Sequence, residues 1–203
     1  MQDAWLAEVR PEVGWGNCAN VPGATYKLFV GNLSVVSVGA TGNEYRTAIK
    51  FMDLSAIPAN AVVDSAVLTI KQTWCQAAYA DGSVPAGCSG ASLTIQAHQV
   101  TTPWDERYTR WMDMPGFLAV PLDTKTIANT LGATLDFDIT TAYREWLMGV
   151  VPNNGVILIA NPLPANDFFR GRSHDTVCEA GGCSGGQGSP PGADGPKLTV
   201  TWH

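Results

Sequence analysis

The stretch Tyr45 to Ile70, YRTAIKFMDLSAIPANAVVDSAVLTI, constrains this chain more than any other. It holds two alternating runs around a proline. In the first, Tyr45, Thr47, Ile49 and Phe51 share one face, while Arg46, Ala48 and Lys50 share the other. In the second, Ala66, Leu68 and Ile70 oppose Ser65, Val67 and Thr69. A side-chain period of two is what a strand with one buried face requires. Between the runs, Pro58 lacks a backbone donor and disfavours helix at Ile57. The expectation is strand, corner, strand within an all-β domain.

The same reading extends along the chain. Strands are expected over Asp3 to Val13, Tyr26 to Val30 (ended by Gly31-Asn32), and Val35 to Val38 before a turn at Gly39 to Asn43. Leu93 to Val100 follows, with Leu93, Ile95 and Ala97 on one face. Thr101 to Pro121 is irregular and aromatic. Thr134 to Ile139 reads as a strand with Leu135, Phe137 and Ile139 inward. A single short helix is expected over about 140–148, capped by Asp138, Thr140 or Thr141 and stopped by Gly149 and Pro152. Val156 to Ala160, VILIA, is apolar on both faces and reads as a central strand covered on both sides. Phe168-Phe169 begins another strand, and PKLTVTW closes the set of about ten. No internal repeat or linker divides the chain, so a single domain over 1–203 is expected.

Of the 203 residues, 15% are charged and the net charge is −6. With 21 Gly and 13 Pro, this suits short strands joined by tight turns. Neutralising phosphates takes clustered Lys and Arg, and no basic run exists, so DNA and RNA are poor partners. The longest dense apolar run, Val156 to Ala160, is far below the roughly 20 residues that span a bilayer. The opening MQDAWLAEVRPE lacks the basic-then-apolar order of a signal peptide, so an extracellular form would have had its leader removed.

The cysteines favour the extracellular form. Cys75 and Cys88 bracket a polar Gly/Pro insertion, and Cys178 and Cys183 bracket EAGG at the start of a Gly/Ser/Pro-rich loop that runs to about 195. A disulfide restricts the unfolded chain, by about 3 kcal/mol for the larger loop. The pairs Cys75–Cys88 and Cys178–Cys183 are therefore expected, and with them an oxidising compartment. Cys18 is left over, for burial, for reaction or for pairing between molecules.

Four blocks, YRTAIKFMDLSAIPANAVVDSAVLTI, TTPWDERYTRW, LDFDITTAYREWLMGVVPNNGVILIA and PKLTVTW, occur in this order over most of the chain. In this the chain resembles the DNRLRE-domain family, which includes alginate-binding carbohydrate modules of secreted bacterial proteins. The resemblance implies a jelly-roll-like antiparallel β-sandwich, extracellular or cell-surface placement, and no catalytic activity.

Candidate binding residues follow from chemistry. Trp104 and Trp111 flank Arg107, Tyr108 and Arg110; flat aromatics beside hydrogen-bonding groups stack on sugar rings, although both tryptophans also suit pinning a crossover to the sandwich. Arg170, Arg172 and His174 alternate and would share a strand face, an anion site or a solvated row paired with nearby Asp167 or Asp175. Trp15, between two glycines, and Tyr79 are candidate platforms. His174, Cys178 and Cys183 match no zinc spacing. Calcium suits loop carboxylates such as Asp3, Asp53, Asp136 and Asp138 better, though no cofactor is required. Asn32-Leu33-Ser34 is a glycosylation sequon. No H-E-x-x-H or phosphate loop is present, and no enzyme activity is expected. The functional expectation is a secreted carbohydrate-binding module, with acidic polysaccharide as one candidate ligand. The alternative is a structural subunit of a surface layer, adhesin or filament, with identical subunits as partners.

Overall fold

The computed structural model describes residues 1–8, 27–35, 40–58, 60–73, 89–106, 108–164, 167–172 and 194–203, with backbone alone at 3–5, 7, 27, 33–35, 40–43 and 172. Its strands are β1 (Gln2–Ala7), β2 (Lys27–Val35), β3 (Ala40–Lys50), β4 (Val63–Lys71), β5 (Ser92–Gln99), β6 (Asp123–Ala128), β7 (Thr134–Asp138), β8 (Val156–Ala160), β9 (Asp167–Arg172) and β10 (Lys197–Trp202). One α-helix, α1 (Thr140–Leu147), follows β7. All strand pairs are antiparallel. A seven-stranded sheet has the order β6-β5-β8-β3-β2-β9, with β1 also on β3, and a three-stranded sheet has the order β10-β4-β7. The expected all-β, sandwich-like architecture with one short helix is therefore present.

Strand β3 is the hub. Tyr45 pairs with both Gly31 and Ala7, and Thr47 pairs with both Trp5 and Leu158. A strand residue has one neighbour on each edge, so β1 takes one edge while β2 and β8 share the other in succession. The changeover falls at Thr47. Its hydroxyl accepts from Phe29 N at 3.1 Å and donates to Phe29 O at 2.8 Å, replacing the main-chain ladder where β2 departs.

Three local expectations change here. Gly31-Asn32 does not end a strand. Gly31 (φ +135) sits inside β2, where a Cβ would lie 2.5 Å from Asp167 O, so the glycine admits close approach of β9. The segment from Ala40 to Asn43, expected as a turn, is already β3, because pairing with β2 outweighs the local turn bias. Strand β6, DTKTIA, was not expected at all; only Ile127 is buried along it, so its sequence carries little apolar alternation.

The main core lies between the sheets. It joins Ile49, Leu68, Ile70, Ile95, Phe137, Leu158 and Phe169 to Tyr143 and Trp146 of α1. The helix is fixed at its start by Asp138 Oδ1, which accepts from Thr140 N at 2.9 Å. Thr140 Oγ1 donates to the same oxygen and accepts from Ala66 N at 2.9 Å, tying α1 to β4. A second cluster, Leu6, Ala48, Val100, Trp104, Ile157 and Ile159, lies on the other face of β3 and β8. The outward face expected for β3 is thus covered at Ala48, and β8 is buried on both faces as its composition predicts.

A buried polar network ties the sheets together at the start of β9. Gln72 Nε2 donates to Asn129 Oδ1 at 2.8 Å, and Asn129 Nδ2 donates to Asp167 Oδ1. Ser89 Oγ donates to Asp167 Oδ2 at 2.7 Å, and Gln72 Oε1 accepts from Arg170 N at 3.1 Å. Asp167 is therefore engaged in the fold rather than facing an arginine row. No described helix is long and apolar enough to cross a membrane.

Candidate functional site

Opposite the core-facing Leu93, Ile95 and Ala97 of β5 stand Thr94, Gln96 and His98. Residues directly paired across antiparallel strands share a face. Thr94 pairs with Thr126, and Gln96 pairs with Thr124 and Ile159, so these groups form a row on the outer face of the large sheet. Thr124 and Thr126 are exposed, and Thr94 and Gln96 are partly so. Just beyond β8, exposed Asn161 is positioned by its N–H to Thr94 O at 3.0 Å, and its Nδ2 donates to Gln96 Oε1 at 3.0 Å. Thr94 and Thr126 hydroxyls are 2.9 Å apart. Neighbouring strands lie about 4.8 Å apart, so this hydroxyl and amide shelf, three strands wide, extends about 10 Å across the sheet.

His98 closes one end of the shelf. Its Nδ1 lies 2.8 Å from Leu118 O and its Nε2 3.3 Å from Gln96 Oε1. Its ring meets Phe117 edge-on with centroids 5.4 Å apart. Phe117 and Trp111 belong to the long crossover between β5 and β6, and both hold Arg46 of β3. The Arg46 guanidinium carbon is 5.0 Å from the Trp111 ring centre and 5.8 Å from that of Phe117. Arg46 Nε donates to Glu44 Oε1 at 2.6 Å, and Nη1 reaches Met114 Sδ at 3.4 Å. The crossover is anchored below by Trp104, which is 8% exposed and donates from Nε1 to Asn154 O at 2.7 Å. Trp111 is only partly covered and stands at the rim. Buried His98 thus packs between the aromatic and guanidinium stack and the row of amides and hydroxyls. Such a surface can stack on a sugar ring and hydrogen-bond its hydroxyls as both donor and acceptor.

Of the residues expected from the sequence, Tyr108 is 69% exposed on this crossover. Arg110 forms an ion pair with Asp113, in the 3-10 turn Trp111–Asp113. Arg170 does not join them. Its guanidinium carbon lies 5.3 Å from the Phe29 ring centre, and burial pushes it down to about 10, so it stays charged at neutral pH. Phe29 also packs on Tyr45, whose side chain leaves β3 on the face opposite Arg46. Arg172 contributes backbone to β9, paired with Lys27. Arg107, Trp15, Tyr79, His174 and the cysteines Cys18, Cys75, Cys88, Cys178 and Cys183 lie outside the described residues.

The carboxylates expected for calcium serve separately. Asp53 Oδ1 accepts from Ser55 N at 2.8 Å, Asp136 Oδ1 from Thr69 Oγ1 at 2.5 Å, and Asp138 Oδ1 from Thr140 N at 2.9 Å; the Asp3 side chain lies outside the described residues. Among the described residues no group of three or more His, Cys, Asp or Glu could hold a metal ion. Asn32 of the sequon is 7% exposed, with Nδ2 donating to Pro164 O at 2.9 Å, so its amide is engaged within the fold. The shelf residues Thr94, Gln96, Thr124, Thr126 and Asn161 escape sequence reasoning focused on tryptophan and arginine. The alternation of LTIQAHQV, read on its polar side, is the signal that points to two of them, Thr94 and Gln96. No protein-family model matches the chain, and no curated protein matches it.

Proposed function

We propose that this protein is a secreted, non-catalytic module that binds carbohydrate on the outer face of its seven-stranded sheet. One observation carries the reading: partly covered aromatics at Trp111 and Phe117 sit at the end of an exposed row of hydroxyl and amide groups. The resemblance to DNRLRE-domain modules supports it, as do the loop-bracketing cysteines, which are expected to form Cys75–Cys88 and Cys178–Cys183 in an oxidising compartment. Native gels containing a panel of soluble polysaccharides test the binding. Retardation by at least one glycan, lost on Trp111→Ala, is the expected result, and equal mobility in every gel refutes the reading. Mass spectrometry of non-reduced peptides tests the sulfur pairing, and free thiols at all four positions would remove the argument for secretion.

A second reading, a subunit of an extracellular assembly, has one observation in its favour. Among the described residues, no strand pairs with the outer edge of β10, and Trp202 and Val62 are exposed beside it. Edge strands of this kind accept a strand from another copy. Sedimentation over a concentration series separates the two readings: a monomer favours the module, and concentration-dependent polymers favour the subunit.

A further inference from the structure

We propose that the shelf takes an uncharged polysaccharide and discriminates against uronate chains, an inference that rests on the carbohydrate-binding reading above. The argument is electrostatic. A uronate carboxylate needs a cation whose charge is not already compensated. Two described cations beside the shelf already have an acidic partner: Arg46 pairs with Glu44, and Arg110 with Asp113. Arg46 is also held by two aromatic rings, and its side chain is 18% exposed, so a sugar carboxylate would have to displace Glu44 in a confined position. The chain as a whole carries −6, which repels a polyanion at low salt.

The shelf itself is neutral and amphoteric. Hydroxyls at Thr94, Thr124 and Thr126 both donate and accept, and beyond their mutual bond Gln96 keeps two N–H groups and Asn161 keeps its oxygen and one N–H. That inventory matches sugar hydroxyls, which also do both. It is held in register by Asn161 Nδ2 on Gln96 Oε1 and by the Thr94–Thr126 contact, so little ordering is needed on binding. The ligand class is therefore a neutral glucan, xylan or mannan chain lying across β6 and β5 to Asn161 beyond β8, with one ring at Trp111.

The test is calorimetric titration with neutral gluco-, xylo- and manno-oligosaccharides beside oligomannuronate and oligogalacturonate, each at low and high salt. Binding of a neutral oligosaccharide with little salt dependence, and no binding of either uronate, is expected. Thr126→Ala and Thr124→Ala are exposed changes and should each weaken the neutral ligand about three- to tenfold. Thr199→Val, on the outer face of the small sheet, should leave affinity unchanged. Binding of uronates alone, or affinity untouched by both shelf variants, overturns the inference while the carbohydrate reading stands. Binding of none of the five overturns both.

Discussion

Trp104 offers the sharpest test of how the outer face is built. The side chain is 8% exposed and fills the second cluster against Ala48, Ile157 and Ile159. Truncation to alanine opens a cavity and removes a large apolar surface, at a cost of about 3–5 kcal/mol. In a domain of this size each kcal/mol lowers the melting temperature by about 2–4 °C, so Trp104→Ala should lose about 6–20 °C. Trp104→Phe keeps most of the ring but removes the indole N–H. That leaves Asn154 O, in a residue 4% exposed, without its 2.7 Å donor. An orphaned buried acceptor costs about 1–3 kcal/mol, so the phenylalanine variant should fall between wild type and alanine. Thermal melts by circular dichroism read both. If Trp104→Ala melts within about 2 °C of wild type, the crossover is not packed as a second core and the reasoning fails.

Other positions test other layers. Gly155 has φ +78, and a Cβ there would lie 2.1 Å from Ile49 O, so Gly155→Ala should cost at least about 1–2 kcal/mol from the left-handed backbone alone, read as a lower urea midpoint. Asn129→Ala leaves Gln72 and Asp167 short of a partner in a buried network and should destabilise by about 2–4 kcal/mol in the same assay; a loss under about 0.5 kcal/mol contradicts the network. The Asp138 carboxylate is held below the ordinary range by hydrogen bonds from the Thr140 side chain and backbone, with Lys125 and Arg144 adding. Its folded value lies below its unfolded one, so its contribution is present above about pH 3.9 and is lost as pH falls through the folded value. Asp138→Asn should therefore lower stability at pH 7 and approach wild type as pH falls through the folded value, whereas a gap that stays constant with pH excludes this role.

Much of the sheet architecture was legible because burial imposes a period of two. The runs in β3, β4, β7 and β8 announce their core faces directly, and the helix expected over about 140–148 is α1, although its N-cap is Ile139 rather than Asp138, Thr140 or Thr141. Strand β2 was harder to see. Gly31 reads locally as a stop, and only the approach of Asp167 from about 135 residues away explains a glycine inside a strand. Strand β6 lies at the end of the large sheet with one buried residue, so its sequence alternates polar with polar. The shelf was hidden for a related reason. Thr124, Thr126 and Asn161 are unremarkable alone, and only the register of β6, β5 and β8 brings them together. Arg170 reads as a solvent-facing anion binder by alternation, and the chain's path over Phe29 half-buries it instead.

The central claim concerns where a glycan lies on this molecule, and amide chemical-shift mapping addresses it most directly. On titration with a neutral oligosaccharide, shifts are expected along Thr94 to His98, at Thr124 and Thr126, at Asn161 and at the Trp111 indole. Shifts confined to β4, β7 and β10, or a spectrum unchanged at saturating sugar, would contradict it.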